Sequence, residues 1–248
     1  MQETCENWDV SGLASAPQTQ IIKNSLANQA CEVLRQQIVR GELPPGHRLN
    51  IYEIATQLGI SRTPVKEAFN RLSHEGLLTI HPQSGTFVSR LGLSQIREVF
   101  EARLMLELWS APALFCGGRW SPMEAERLLA RCEELFQSKE DFDFATFAIC
   151  DRELHTSIVS ASGNRRISRM YESVYPYLQM VRVYWGRSRE RALRSHREHI
   201  GIVDAINRSD SEAAVDLLRS HITGSQDDII RLLTTDGSGL ITSQGEAD

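Results

Sequence analysis

The tightest constraint on the fold is a three-residue break, Gly59-Ile60-Ser61, between two apolar-periodic segments. Ile51, Ile54, Ala55 and Leu58 recur at helical spacing and run into Gly59, which supplies the left-handed conformation in which helices commonly end. Ser61 is an N-cap residue type. Pro64 falls in the first turn of the next helix, where a missing N–H costs nothing. Val65, Ala68, Phe69 and Leu72 then form an inner face, and Gly76 ends it. Two helices joined by so short a turn make a helix-turn-helix.

The flanks extend the pattern. Leu26, Ala30, Val33, Leu34, Gln37 and Ile38 predict a preceding helix, stopped by Gly41, and Pro44-Pro45-Gly46 is a turn. Leu77–Ile80 and Thr86–Arg90 predict two short strands around Pro82-Gln83-Ser84-Gly85, a hairpin. Three helices and a hairpin within 25–91 are the winged helix-turn-helix plan. Residues 1–24 and 234–248 are polar and weakly periodic, and are expected to be a flexible arm and tail.

From Ser94 to Leu233 the pattern is helical throughout, with helices expected near 94–116, 121–138, 141–161, 164–187, 189–207 and 210–233. The expected fold class is therefore mainly α: a winged helix-turn-helix over 25–91, followed by an all-helical bundle over 92–233. No apolar run approaches the roughly 20 residues that span a bilayer, and the first residues lack the pattern of a signal peptide. The five cysteines include no C-x-x-C pair, so reduced thiols in a cytoplasm are expected.

The net charge of −5 does not itself suggest a nucleic-acid partner. Residues 25–90, with seven bases and five acids, are the one positive block. The chemistry lies in Ser61-Arg62-Thr63-Pro64-Val65-Lys66. A recognition helix enters the major groove N-terminus first. Ser61, Thr63 and the free amides of that end suit phosphate, and the Arg62 fork suits guanine O6 and N7. Lys66, one turn on, reaches a base or a phosphate. The competing reading of any one of these residues is a capped surface helix with scattered charges.

The segment IVRGELPPGHRLNIYEIATQLGISRTPVKEAFNRLSHEGLLTIHPQSGTFVSRL, 38–91, resembles the DNA-binding domain of the GntR family of regulators. The resemblance implies that Arg62 reads bases, that Ser61 and Thr63 hold phosphate, and that Lys66 stands where Arg is usual. It also implies that the wing tip Gln83-Ser84-Gly85 reaches the minor groove or backbone. Ile51 and Tyr52 depart from the family pattern, which more often has an acid and an Arg there. Tyr52 is expected to face DNA and donate to a phosphate.

Asp151 and His155, at i and i+4, share one helix face, and His199 and His221 stand on two later helices. One carboxylate and three imidazoles suit a borderline divalent ion, zinc first, with nickel or manganese as alternatives. Spacing alone favours a chance i, i+4 pair, which is common among seven histidines. Residues 94–224 resemble the FCD ligand-responsive domain of the FadR-like subfamily. The matching pieces are Arg103-Leu-Met-Leu-Glu107, Asp151-Arg-Glu-Leu-His155, Ala161-Ser-Gly-Asn164, Glu198-His199 and His221. That resemblance implies Asp151, His155, His199 and His221 as metal ligands, with His196 excluded. It implies a small organic-acid effector, a dimer contact in the helical domain and, with it, a homodimer on an inverted-repeat DNA operator. Arg103 is the candidate partner of the effector carboxylate, against the alternative of an intrahelical pair with Glu107. The stretch Arg187, Arg189, Arg191, Arg194, Arg197 reads as a solvated helix junction, or else as a phosphate or interdomain contact.

The expected function is thus a metabolite-responsive DNA-binding regulator, a repressor, and not an enzyme. The rival is a metalloenzyme using the Asp/His cluster. It lacks a general base within the ligand motifs, a G-x-S-x-G elbow and a phosphate-cradling glycine loop.

Overall fold

The computed structural model describes residues 26–117, 119–137, 142–185 and 188–235. The expected arm 1–24, most of the expected tail 234–248, and Arg187 lie outside the described residues.

Three helices open the chain: α1 (Leu26–Val39), α2 (Ile51–Leu58) and α3 (Arg62–His74). Their apolar stripes meet in one core, in which Leu34, Ile38, Val65, Ala68 and Leu72 are wholly buried. Each of the leucine, isoleucine and valine side chains stabilises the unit by about 1.5–3 kcal/mol through its burial. Asn50 caps α2, its side chain accepting the Tyr52 N–H at 2.9 Å. Gly59 ends α2 at φ +65°, so that the Ile60 N–H returns to the Ala55 carbonyl at 3.0 Å. That reversal lets α3 start three residues later. Ser61 holds the N-cap position in extended conformation, but its side chain makes no capping hydrogen bond, contrary to the role expected for it.

The hairpin strands are β2 (Leu78–His81) and β3 (Gly85–Val88). A strand not anticipated, β1 (Arg48–Leu49), pairs antiparallel with β3, giving the order β1-β3-β2. Two residues are too short to show a period, so β1 left no signal in the sequence.

The second half holds helices and no strand among its described residues: α4 (Leu93–Ser110), α5 (Pro122–Gln137), α6 (Phe144–Ser160), α7 (Arg165–Trp185), α8 (Arg189–Asn207) and α9 (Ser211–Thr235). The helix expected over 94–116 is divided, because Pro112 cannot donate an N–H, and a 3-10 turn over Ala111–Phe115 follows α4. Asp143 caps α6 through the Ala145 and Thr146 N–H groups, both at 3.0 Å, and so starts it later than expected. Helix α4 is central, packing on α6, α7 and α9, while α1 packs on α7 and joins the two halves. No described helix is long and apolar enough to cross a membrane. The described cysteines, Cys31, Cys116, Cys132 and Cys150, are free thiols.

Candidate functional sites

On the winged unit, Ser61, Arg62, Thr63 and Lys66 are all exposed around the first turn of α3. This end of the helix offers unsatisfied amides and the positive pole of its dipole. Tyr52, 61% exposed on α2, stands against Arg62. The Arg62 Nη1 donates to the Tyr52 Oη at 3.2 Å, and the guanidinium carbon lies 5.1 Å from the ring centre. Tyr52 therefore props the arginine, a role the sequence pattern did not disclose. At the wing, Gln83 and Ser84 are exposed, while Gly85 is half-buried opposite His81. A Cβ on Gly85, whose φ is +111°, would stand 3.2 Å from the Arg48 Nε. Arg48, exposed on β1, is thus a wing cation that sequence reasoning did not single out.

The second site lies inside the helical half. Helix α6 brings Asp151 and His155, α8 brings His199, and α9 brings His221. One ligand atom from each lies within 4.8 Å of the others, and all four residues are buried. His155 and His199 approach Nε2 to Nε2 at 3.2 Å, and His199 and His221 at 3.3 Å. The His199 Nε2 is 3.6 Å from the Asp151 Oδ1. Donor atoms about 2.0–2.2 Å from one ion in tetrahedral or octahedral array stand roughly 3.0–3.5 Å apart. The two imidazole spacings fall in that range, and the Asp151 spacing lies just beyond it.

Two further carboxylates fix the rings. Glu107 Oε2 accepts from His155 Nδ1 at 2.7 Å, and Glu198 Oε2 accepts from His221 Nδ1 at 2.7 Å. A carboxylate on Nδ1 holds the proton there and turns the Nε2 lone pair toward the cluster. Burial, then the Arg103 charge, hold the His155 pKa well below the ordinary imidazole value, so the ring stays neutral and ligand-competent. Burial pushes the Glu198 carboxyl up, against the pull of His199 and two arginines. Lone pairs facing one another across 3.2–3.3 Å repel unless a positive group lies among them; the Arg103 Nη2 reaches those of His155 and His221, and an ion among the rings would serve all three. The residues present therefore fit a divalent ion.

Arg103, 1% exposed, makes the intrahelical pair that stood as the alternative reading, together with contacts to two imidazoles that the sequence did not suggest. Its Nε donates to Glu107 Oε1 at 2.8 Å, the intrahelical pair, and its Nη2 lies 2.8 Å from the His155 Nε2 and 3.5 Å from that of His221. Burial works against its charge, but Glu107 foremost, with Tyr171 and Asp151, outweighs it and raises the pKa. Tyr171 donates to Glu107 Oε1 at 3.0 Å. Arg103 thus lies among two buried carboxylates, paired directly with Glu107 and close enough to Asp151 to feel its charge. The sequence reading missed Glu107, Glu198 and Tyr171 as part of the site. Glu107 was visible only as the i+4 partner of Arg103, and Glu198 only as the neighbour of His199.

His196 is buried but pairs with Glu133 at 3.0 Å, outside the cluster. The arginine-rich stretch begins α8. Arg189 donates to the Phe136 carbonyl at 2.6 Å, Arg191 to the Ser225 carbonyl at 3.1 Å, and Arg194 lies 3.4 Å from Asp228. These contacts stay within the helical half.

A winged helix-turn-helix joined to an all-helical unit with a buried Asp/His cluster defines a transcription regulator of the sensor-linked class. Residues 26–88 match the bacterial regulatory proteins of the gntR family, and residues 98–224 match the FCD domain. The Nta operon transcriptional regulator of Aminobacter aminovorans is 32% identical over 190 residues, covering 76% of this chain and 87% of that protein. The "Probable D-xylose utilization operon transcriptional repressor" of Paenarthrobacter nicotinovorans is 28% identical over 208 residues, 84% of this chain and 90% of the relative. The crystal structure of a GntR regulator from Rhodococcus sp. RHA1 shares the fold, with a TM-score of 0.73 at 22% identity over 83% of this chain and 97% of that one. The chain belongs to the GntR family of bacterial transcription regulators, in the branch that carries an FCD domain, and it is not an enzyme.

Proposed function

We propose that the chain is a cytoplasmic repressor that binds an inverted-repeat operator as a homodimer and is released by a small carboxylate effector. Its domains divide at 25–91 and 92–233. In the reading head, Arg62 contacts base edges, while Ser61, Thr63, Lys66, Tyr52 and the wing residues Gln83, Ser84 and Gly85 contact the backbone or minor groove. Asp151, His155, His199 and His221 would hold a divalent ion, zinc by preference, because three imidazoles and one carboxylate are borderline donors. A bound ion would supply Lewis-acid anchoring for an effector carboxylate, with Arg103 beside it as the charged fork.

The observation that carries this reading is the convergence of three imidazole Nε2 atoms, two of them locked by carboxylates on Nδ1. Regulation follows by linkage: an effector that favours one arrangement of the winged units, where DNA favours another, lowers operator affinity, and DNA lowers effector affinity by the same factor.

Metal analysis of protein purified without chelator tests the ion. Wild type is expected to carry about one ion per chain and His155→Ala far less. A metal-free wild type sinks the metal reading, and nickel or manganese in place of zinc corrects only its identity.

A further inference from the structure

The tip of the wing holds a permanent cation that its own turn does not supply. Strand β1 is an edge of the sheet, and its two residues face opposite ways. Leu49, opposite Thr86, is buried, while Arg48, opposite Phe87, is exposed on the solvent face. Gly85 lies two residues from Phe87 on that same face, where β3 leaves the turn. The Arg48 side chain reaches it: a Cβ on Gly85 would meet Nε at 3.2 Å, Nη2 at 3.5 Å and Cζ at 3.8 Å. Glycine is therefore required twice over. Its φ of +111° is one that L side chains rarely adopt, and its bare Cα leaves the space that the guanidinium lies against.

The charge at this position is uncompensated. Pro82, Gln83 and Ser84 carry none, and among the described residues no carboxylate pairs with Arg48. Arg35 of the same winged unit is tied to Glu32 and Glu75 instead. Arg48 shares its condition with Arg62, whose described partner is the Tyr52 ring and hydroxyl. A guanidinium already laid against backbone also has less rotamer freedom to lose when it binds.

We infer that Arg48 is a specificity-determining DNA contact: from the edge strand it carries a guanidinium past the wing tip into the minor groove beside the half-site read by α3, and so makes the wing a reader of groove width. The inference rests on the operator-binding reading above and adds a preference that the recognition helix does not have. The edges of the minor groove distinguish little more than A·T from G·C. Its width is more informative, since a narrow A·T-rich groove carries an enhanced negative potential that draws arginine in. Gln83 and Ser84 can hydrogen-bond in the groove, but an uncharged group does not respond to that potential. The preference falls on A·T pairs flanking each half-site, at positions that Arg62 does not touch. Arg90 provides the matching control. Its guanidinium lies against Gly46 as that of Arg48 lies against Gly85, but at the end of the sheet away from the turn, where the Gly46 N–H bonds the Val88 carbonyl.

The test starts from a random-sequence duplex library selected on the full wild-type chain, whose enriched sites should carry A·T pairs flanking each half-site. Binding to the best of these duplexes is then measured by fluorescence anisotropy. Replacing its flanks with G·C pairs should weaken wild type by about tenfold, and Arg48→Ala should weaken binding to the A·T-flanked duplex by a similar factor. On the G·C-flanked duplex Arg48→Ala should cost little more, because flank and arginine are two sides of one interaction. Arg48→Lys keeps the charge and should recover the flank preference only in part, since an ammonium gives up its water less readily. Arg90→Ala should match wild type on both duplexes. Equal binding by Arg48→Ala and wild type overturns the inference. So does an equal loss on both duplexes with a salt slope shallower by about one, the mark of a phosphate contact alone. A library from which wild type enriches no site overturns the operator-binding reading itself.

Discussion

The two sites of this regulator are built on opposite physical terms. The recognition surface of α3 is exposed and assembled from neighbours: Ser61, Arg62, Thr63 and Lys66 lie within six residues, and Tyr52 is one short helix away. The Asp/His centre is buried and assembled from α4, α6, α8 and α9, whose contributing residues run from Arg103 to His221. Exposed charges are screened and can be exchanged at small cost to folding. Buried ones are interdependent, because removing one partner strands the others out of water. The winged unit should therefore tolerate substitution in stability and lose only DNA affinity, whereas the helical unit should lose stability and metal together.

Glu107→Gln should give the largest effect and is the sharpest test of that contrast. Glu107 is wholly buried and accepts from Arg103 at 2.8 Å, His155 at 2.7 Å and Tyr171 at 3.0 Å. An amide of the same shape turns one acceptor into a donor facing donors and takes away the guanidinium's foremost charge partner. The expected cost is about 3–5 kcal/mol of folding stability, read from urea denaturation, with metal content falling in the same preparation. A stable, metal-replete Glu107→Gln protein would break the comparison at its root.

Arg62→Ala should come next and should behave in the opposite manner. Operator affinity is expected to fall by about 1–3 kcal/mol in a gel shift, with relaxed preference at the contacted base pair. The denaturation midpoint should barely move, since Arg62 is exposed and its described partner is the Tyr52 ring and hydroxyl. Unchanged operator affinity would remove Arg62 from the reading face.

The same contrast explains what was legible in the sequence. The helix-turn-helix could be read because its signals are local: Gly59 must reverse the chain, and Val65, Ala68, Phe69 and Leu72 repeat at one period. Asp151 and His155 share a helix, so spacing suggested a pair, but joining them to His199 and His221 took the family resemblance, because no periodicity reports a contact between helices. Glu107 and Glu198 stayed hidden for the same reason, since each acts on an imidazole of a different helix. β1 escaped because two residues have no pattern, and the Tyr52–Arg62 contact escaped because it crosses the turn.

Glu198→Gln sharpens the comparison from the rim of the buried site. The Glu198 side chain is 40% exposed, so losing its charge should cost little stability, but its 2.7 Å bond is what fixes the His221 ring. Metal affinity is expected to drop by about tenfold, the lower end of the effect of removing such an outer partner, in a chelator competition. Equal affinity in the variant and wild type would mean that packing alone orients His221.

Tyr52→Phe should have the smallest effect and tests whether the exposed site has a supporting layer of its own. The substitution keeps the ring that lies 5.1 Å from the Arg62 guanidinium and removes only the hydroxyl that accepts from it at 3.2 Å. A solvent-exposed hydrogen bond to a charged group is worth about 1 kcal/mol or less after competition with water. Operator affinity should therefore fall by no more than about fivefold, and the loss should vanish when Arg62 is already alanine. That double-mutant cycle separates two roles for the tyrosine. If Tyr52 acts by propping Arg62, its effect depends on the arginine. If it donates to a phosphate on its own, its effect persists in the Arg62→Ala background, and the loss appears at every DNA sequence alike.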